Sequence, residues 1–124
     1  VAAFDPSLAI ATSSSRAAEG AAQAAGLRAV ITFLADRAYD DDGLLVPRKV
    51  AGSVIHEQTE VLARVRRLLT EGIVVTHSGK RLATNAESIL LHGDTAGAVD
   101  LAKAIRREVE ASGARIVPLS RHAR

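Results

Sequence analysis

Residues Ser88 to Gly97 read Ser-Ile-Leu-Leu-His-Gly-Asp-Thr-Ala-Gly and contain the change of pattern that decides the fold. The continuous apolar run of Ile89 to Leu91 predicts a strand that is buried on both faces. Helical spacing begins soon afterwards, and its apolar face runs from Ala98 to Val109 before a stop at Gly113. A polar, glycine-containing turn between a buried strand and a helix is typical of α/β proteins, in which ligands bind at the carboxyl ends of the strands.

This turn carries His92, Gly93, Asp94 and Thr95. A histidine and a carboxylate two residues apart can share a proton, bind a metal or orient a water, and the glycine allows close approach of a ligand. Two structural alternatives stay open: Asp94 or Thr95 caps the helix, and His92 is simply hydrogen-bonded at the end of its strand. On the functional interpretation, we expect His92 and Asp94 to lie within about one bridging water of each other at this end of the sheet.

The composition is that of a globular domain whose core is built from small aliphatic side chains. The chain has 124 residues, of which 48% are hydrophobic, 24% charged and only 2% aromatic. This length predicts a single α/β unit over residues 1–124. Cysteine is absent, which excludes disulfides and a thiolate nucleophile. No apolar run approaches the roughly 20 residues that a membrane span needs, and we expect a cytoplasmic protein without a membrane partner.

The positive charge does not indicate a nucleic-acid partner. The net charge is +2, but the basic residues are mixed with acidic ones, and Asp40 to Asp42 form an acidic patch. Aromatic side chains that could stack on bases are not interleaved with the basic residues. Only Arg121 to Arg124 is locally basic, and we expect residues 119–124 to form a flexible basic tail.

Strands and helices alternate along the rest of the chain. Residues 8–11 and 29–34 predict two further strands, and between them an alanine-rich helix ends at Gly26. The hydroxyl run of Thr12 to Ser15 either caps that helix or contacts a phosphate or carboxylate at its N-terminus. The stripe from Val61 to Leu69 predicts another helix, which ends at Gly72 and carries an outward ion pair between Glu60 and Arg64.

The second half of the pattern adds a hairpin and a last strand. Ile73 to Val75 and Arg81 to Ala83 flank residues 77–80 and predict a small hairpin with His77 exposed at its tip. Residues 115–118, Arg-Ile-Val-Pro, predict a final strand. Because buried strands alternate with helices, the fold class is α/β with parallel strand-helix repeats.

A second polar segment follows the strand at residues 29–34. Asp36 and Arg37 lie just past its end, and they form either a carboxylate-binding or orienting element or only a surface salt bridge. Pro47 removes a backbone donor shortly before Arg48, which suits a loop crossing the ligand-binding end better than a central strand.

Three segments occur along the chain in this order: Phe33-Leu34-Ala35-Asp36-Arg37-Ala38-Tyr39, Leu45-Val46-Pro47-Arg48 with Gly52-Ser53-Val54-Ile55, and Leu91-His92-Gly93-Asp94-Thr95 followed by Gly97-Ala98. Together they resemble the LamB/YcsF family, the family of the 5-oxoprolinase A subunit, and specifically its C-terminal half. The resemblance implies a distorted (β/α) barrel, related to sugar-deacetylase and glycosidase barrels. It also implies ATP as co-substrate and partner subunits with which the lactam of 5-oxoproline is opened to glutamate.

The resemblance also implies which residues form the site. His92 and Asp94 would handle the proton or position water, as the catalytic pair. The other polar motif positions would bind the substrate, with the two arginines holding a carboxylate or a phosphate. These substrate-binding residues are Asp36, Arg37, Arg48 and Gly93. No metal ligand is implied.

Two departures from the family pattern bear on the activity. Thr32 stands where the family usually has a glutamate, and the family's N-terminal motifs are not found in these 124 residues. A component or fragment of 5-oxoprolinase is therefore one hypothesis, and a non-catalytic half-barrel that serves as an assembly module is the alternative. Its partners would be other subunits, the missing half or a second copy. A weaker alternative is a metal-dependent deacylase with His92 and Asp94 as ligands, although a catalytic zinc has three protein ligands.

Overall fold

The computed structural model describes residues 1–13 and 16–119, and its elements follow the predicted order closely. The chain forms a parallel sheet, a separate hairpin and three helices within these residues. The elements are β1 (Ala9–Thr12), α1 (Arg16–Ala24), β2 (Arg28–Leu34), α2 (Gln58–Glu71), β3 (Ile73–Val75), β4 (Arg81–Ala83), β5 (Ser88–Leu90) and α3 (Ala98–Ala111).

The strand order of the sheet places two distant segments side by side. Strands β1, β2 and β5 lie in that order, with β2 in the middle and both of its pairings parallel. The predicted parallel α/β fold is therefore confirmed. Leu34 is in register with Leu90, so the loops that follow β2 and β5 leave the same edge of the sheet as neighbours. Two segments more than fifty residues apart in sequence thus share one end of the sheet.

The core lies between the sheet and helices α2 and α3. Val61 and Val65 on α2 are fully buried in one cluster with Phe33 of β2 and Ile105 of α3. Burial of such an aliphatic side chain contributes about 1.5–3 kcal/mol, so these helical stripes hold the layers together. The predicted hairpin is confirmed as well, with Val74 opposite Leu82 and His77 exposed at its tip.

Two predictions about strands are wrong. Leu90 is 42% exposed rather than buried on both faces, because β5 pairs with β2 on one side and, within the described residues, with no strand on the other. Residues 115–118 form no strand, since no neighbouring strand pairs with them among residues 1–13 and 16–119. They lie instead along the cleft between α3 and β5, with Ile116 half exposed.

The prediction that Asp94 or Thr95 caps α3 is also wrong. Gly97 occupies the N-cap position with φ of 79°, and no side-chain cap bonds to the first turn. Only glycine adopts this left-handed conformation without strain, so the backbone rather than a side chain sets the start of the helix.

Part of two predicted segments lies outside the described residues. This concerns Ser14 and Ser15 of the hydroxyl run and residues 120–124 of the basic tail. Leu119, the first residue of that tail, accepts a hydrogen bond of 3.5 Å on its carbonyl from Arg28. Among the residues that the structure describes, no helix is both long and apolar enough to cross a membrane.

Candidate functional site

The carboxyl ends of β2 and β5 bring together Asp36 and His92. The ring Nδ1 of His92 lies 2.9 Å from both carboxylate oxygens of Asp36. The backbone N–H of His92 donates to the same carboxylate at 3.3 Å. The Asp36 side chain is 8% exposed and that of His92 is 28% exposed. The buried carboxylate of Asp36 therefore binds His92 twice, through the ring Nδ1 and through the backbone N–H.

This contact fixes the tautomer of the imidazole. An ionised carboxylate only accepts hydrogen bonds, so the ring proton of neutral His92 lies on Nδ1, between ring and carboxylate. Nε2 is left with its lone pair and can accept a proton or bind an electrophile. In enzymes the same arrangement makes a histidine a general base, with the carboxylate orienting the ring and stabilising the imidazolium.

The backbone around Asp36 is tied to two neighbouring segments. The N–H of Ala35 donates to the carbonyl of Leu90 at 3.0 Å and extends the parallel pairing of β2 and β5 by one residue. The carbonyl of Asp36 accepts from the N–H of Ile55 at 2.9 Å. Asp36 therefore departs from the sheet at a point where the backbone on both sides is fixed.

Arg64 of α2 adds two further ties. Its guanidinium donates to the carbonyl of Ala35 at 2.7 Å and to that of Arg37 at 2.6 Å. It also lies over the ring of Phe33, 5.2 Å from the centroid. Burial lowers the pKa of Arg64 from its usual value, and the nearby carboxylates of Glu60 and Asp36 act in the opposite direction. The predicted outward ion pair with Glu60 is wrong, because the side chain turns to the carbonyls at the end of β2.

Tyr39 closes the other side of this turn. Its hydroxyl accepts the N–H of Leu34, the last residue of β2, at 2.9 Å. Its ring stacks on Phe33 with centroids 5.9 Å apart. Burial raises the pKa of Tyr39 above its usual value, so the phenol stays neutral at physiological pH. A neutral hydroxyl can serve the strand end as an acceptor without adding charge beside Asp36.

Arg37 lies close to Asp36 in sequence but serves the loop that follows. Its side chain is buried and donates to the carbonyls of Ser53 at 3.1 Å and Val46 at 2.8 Å. The structure thus gives Arg37 a bracing role in place of the predicted capture of a substrate carboxylate or phosphate. The reason is that Ala38 and the residues up to 54 form a folded loop with its own backbone pairing, which encloses the guanidinium.

The other predicted site residues lie at or near the surface. Arg48 is exposed, and its carbonyl accepts from the hydroxyl of Ser53. Gly93 and Asp94 are exposed in the turn between β5 and α3. The direct partner of His92 is Asp36, and the expected approach of His92 and Asp94 to within about one bridging water stays a prediction. Sequence proximity suggested the nearer carboxylate, whereas the strand order supplies one that is 56 positions away.

The loop after β2 is also clamped to the hairpin. The carboxylate of Asp41 accepts from the hydroxyls of Thr76 and Ser78, both at 2.6 Å. The hydrogen bond from Ser78, followed by that from Thr76, lowers the pKa of Asp41 below its usual value. The clamp is therefore retained above the usual pKa of an aspartate and lost as the pH falls through the lowered one.

Two clefts lie beside this pair rather than around it. The larger, of about 710 Å³, runs between α2, α3 and β5 and is lined mostly by apolar side chains, among them Leu91. The smaller, of about 210 Å³, lies between α2 and the hairpin and includes Arg64 and His77. Neither of these two clefts has Asp36 or His92 in its lining.

Thr32 is a further buried polar group on β2. It is 6% exposed, and within the described part of the chain its hydroxyl oxygen has no hydrogen-bond partner.

Metal-ligating side chains are not clustered in the described region. Residues 1–13 and 16–119 contain no group of three or more His, Cys, Asp or Glu arranged to hold a metal ion. A zinc-dependent deacylase needs three protein ligands for its metal, and this end of the sheet provides two, His92 and Asp36.

Sequence reasoning missed two residues of this site, Arg64 and Tyr39. Arg64 shows no separate signal, since an arginine at i+4 from a glutamate is typical of a solvated helix face. The signal for Tyr39 was stronger: it is the one tyrosine in the chain, which has only two phenylalanines besides, and it follows Asp36 by three positions. A rare aromatic with a polar end next to a predicted site favours a buried hydrogen bond there.

The fold and the pair together define a class: an α/β protein with a carboxylate–imidazole pair at the carboxyl ends of adjacent parallel strands. Comparison with known proteins narrows this class. The family model described as "LamB/YcsF family" matches residues 1–124, and the chain belongs to this family.

Two curated relatives are similar to the chain in sequence. It is 62% identical over 120 residues to the 5-oxoprolinase A subunit numbered 2 in Ralstonia nicotianae, covering 97% of the chain and 46% of that protein. It is 58% identical over 120 residues to the 5-oxoprolinase A subunit numbered 1 in Pseudomonas syringae pv. tomato, covering 97% of the chain and 47% of that protein. The chain thus spans about half the length of the curated relatives that it matches.

A solved structure supports the α/β fold independently. The lactam utilization protein from Thermus thermophilus superposes with a TM-score of 0.81 at 32% identity. The match covers 93% of this chain and 45% of that protein. The parallel strands and helices described above therefore recur in a protein of known structure.

Proposed function

We propose that the chain is a component of an ATP-dependent 5-oxoprolinase, which hydrolyses the lactam of 5-oxoproline to L-glutamate. The names of the relatives from Ralstonia nicotianae and Pseudomonas syringae pv. tomato support this proposal. The single observation that carries it is the contact of His92 Nδ1 with both oxygens of Asp36 at the carboxyl ends of adjacent strands.

This pair can supply the proton transfers that opening of the lactam requires. Water must attack the carbonyl carbon of the ring amide, and a proton must reach the ring nitrogen as the bond breaks. Nε2 of His92 can take the proton from the water and return it to the nitrogen, while Asp36 keeps the ring oriented and stabilises the imidazolium. Asp94 and Arg48 lie on exposed loops, where they would contact the substrate or a partner rather than the imidazole.

The chain would supply only part of the pocket. We place it in the C-terminal half of a distorted barrel, since a (β/α) barrel typically needs about 250 residues. Within the described residues, β1 and β5 each pair only with β2, and such open strand edges invite a neighbour. The other half of such a barrel, other subunits or a second copy would cover them and complete the walls around His92. A cytoplasmic location stays a prediction.

The open edges also favour a second candidate, a non-catalytic half-barrel that serves as an assembly module. Here the strand edges would matter and the pair at Asp36 would only be structural. Thr32, where the family usually has a glutamate, agrees with this candidate, because a pocket carboxylate is replaced by a hydroxyl. The two candidates differ in what happens when His92 is changed and the assembly is left intact.

The test is ATP-dependent release of glutamate from 5-oxoproline by the chain assembled with its partner subunits and the other half of the barrel. We expect His92→Gln to lower kcat by about 10²–10⁴-fold, since general base catalysis contributes that much. The matched control is His77→Gln, which changes an exposed histidine at the hairpin tip and should leave kcat unaltered. An assembly of correct mass in which His92→Gln is as active as wild type would favour the assembly module.

A further inference from the structure

The strand end that carries Asp36 is held by one side chain from another layer. The two carbonyls that flank Asp36 belong to Ala35 and Arg37, and both accept from the guanidinium of Arg64, at 2.7 and 2.6 Å. Two bonds from one planar fork fix both distance and orientation, in contrast to a single donor. The carbonyls of the residues before and after Asp36 therefore have one common anchor.

Arg64 itself is held in place firmly enough to act as that anchor. It projects from the middle of α2, between the fully buried Val61 and Val65. Its guanidinium lies over Phe33, which in turn stacks on Tyr39, the acceptor for Leu34 at the end of β2. A planar, partly desolvated guanidinium on an aromatic face loses little further freedom when it binds two carbonyls.

We propose that Arg64 is a positioning residue for the Asp36–His92 pair. By holding the carbonyls of Ala35 and Arg37 it sets the direction of the Asp36 carboxylate, which in turn fixes the tautomer and orientation of His92. Arg64 touches no reacting atom in this account. The inference rests on the proposed function only for its consequence in catalysis, because the geometry of the pair can be measured without turnover.

A purely structural role for Arg64 predicts a different result. If Arg64 only ties α2 to the sheet, its removal lowers the free energy of unfolding but leaves the pair intact in the molecules that remain folded. If it positions Asp36, the bond of Asp36 to His92 changes in the folded protein. The readout must therefore be the protonation pattern of the imidazole rather than stability.

The experiment is ¹⁵N NMR of His92 in the folded chain, with Arg64→Met, Arg64→Lys and the control Arg67→Met. Arg67 lies on the same helix, with a side chain that is 38% exposed and 3.8 Å from Glu71. Wild type and Arg67→Met should show one neutral tautomer with the proton on Nδ1 and a downfield Nδ1–H resonance. In Arg64→Met we expect a mixture of tautomers and loss of that resonance. Lysine, with one donor group for two carbonyls, should restore it in part.

Activity adds a second readout in the assembled protein. A carboxylate misplaced by about 1 Å can cost about 10²-fold, so Arg64→Met should lower kcat by that order with little change in KM. A folded Arg64→Met with the wild-type His92 spectrum overturns the proposal. If the methionine variant does not fold, a lysine variant with an unaltered spectrum overturns it equally. Altered spectra in an assembly whose wild type releases no glutamate would retain the positioning role and refute the proposed function.

Discussion

Among individual residues, the geometry of the candidate site depends on which partner each polar side chain contacts. Local spacing pointed to Asp94 as the partner of His92, yet the structure pairs His92 with Asp36. The sequence could indicate that Asp36, His92 and their neighbours lie at strand ends, because that follows from local pattern. It could not indicate which two meet, since the contact is set by the order of strands in the sheet.

The same limit explains Arg37. An arginine after a buried strand looked like an anion-binding group, but folding of the loop up to residue 54 encloses it among backbone carbonyls. The carbonyl of Ser53 also accepts from the N–H of Ala38, and the buried guanidinium binds this carbonyl and that of Val46 at once.

The bracing role of Arg37 gives a stability prediction. Arg37→Met keeps the apolar stem but removes two charge-assisted bonds to the carbonyls of Ser53 and Val46. We expect the free energy of unfolding to fall by about 3 kcal/mol, measured by urea denaturation. Arg48→Met, an exposed arginine on the same loop, should change it by no more than about 0.5 kcal/mol. Equal effects of the two changes would contradict the bracing role.

At the element scale, the sequence indicated nearly every helix and strand. Helices α2 and α3 could be predicted because their apolar residues recur at helical spacing over 14 residues in each helix. Residues 115–118 have apolar side chains typical of a strand, but the prediction was wrong because no described strand lies beside them to pair with. A strand is stabilised by its pairing with a neighbour. The start of α3 was missed because glycine at Gly97 replaces a side-chain cap with backbone conformation.

Glycine also ends α2, which gives a second prediction. Gly72 is the C-cap in the left-handed region at φ of 65°, with its N–H on the carbonyl of Leu68. Gly72→Ala adds a Cβ that meets only one atom at ordinary contact distance, so its cost is conformational, about 1–2 kcal/mol. Gly20→Ala is the matched control, since it lies inside α1 with open space around it and should instead stabilise the chain by about 0.5–1 kcal/mol. Urea midpoints that shift in the same direction would contradict this interpretation of Gly72.

In the molecule as a whole, the described residues bury one apolar core but leave several large apolar side chains exposed at the surface. The packing of α2 and α3 on the sheet buries one contiguous apolar cluster. Leu90 at the edge of β5 and Ile116 beside the larger cleft stay exposed, and the curated relatives of this chain are about twice as long. The pair at Asp36 is thus well built from within, while the walls that would surround a substrate are proposed to come from elsewhere.

The most direct test of the central claim is a double-mutant cycle on Asp36 and His92. ATP-dependent glutamate release would be measured for the assembled wild type, Asp36→Asn, His92→Gln and the double variant. We predict that each single change lowers kcat/KM by about 10²–10⁴-fold and that the double variant is about as active as the less active single variant, because the two side chains act as one unit. Losses that multiply in the double variant would contradict the account and would mean that Asp36 and His92 act independently.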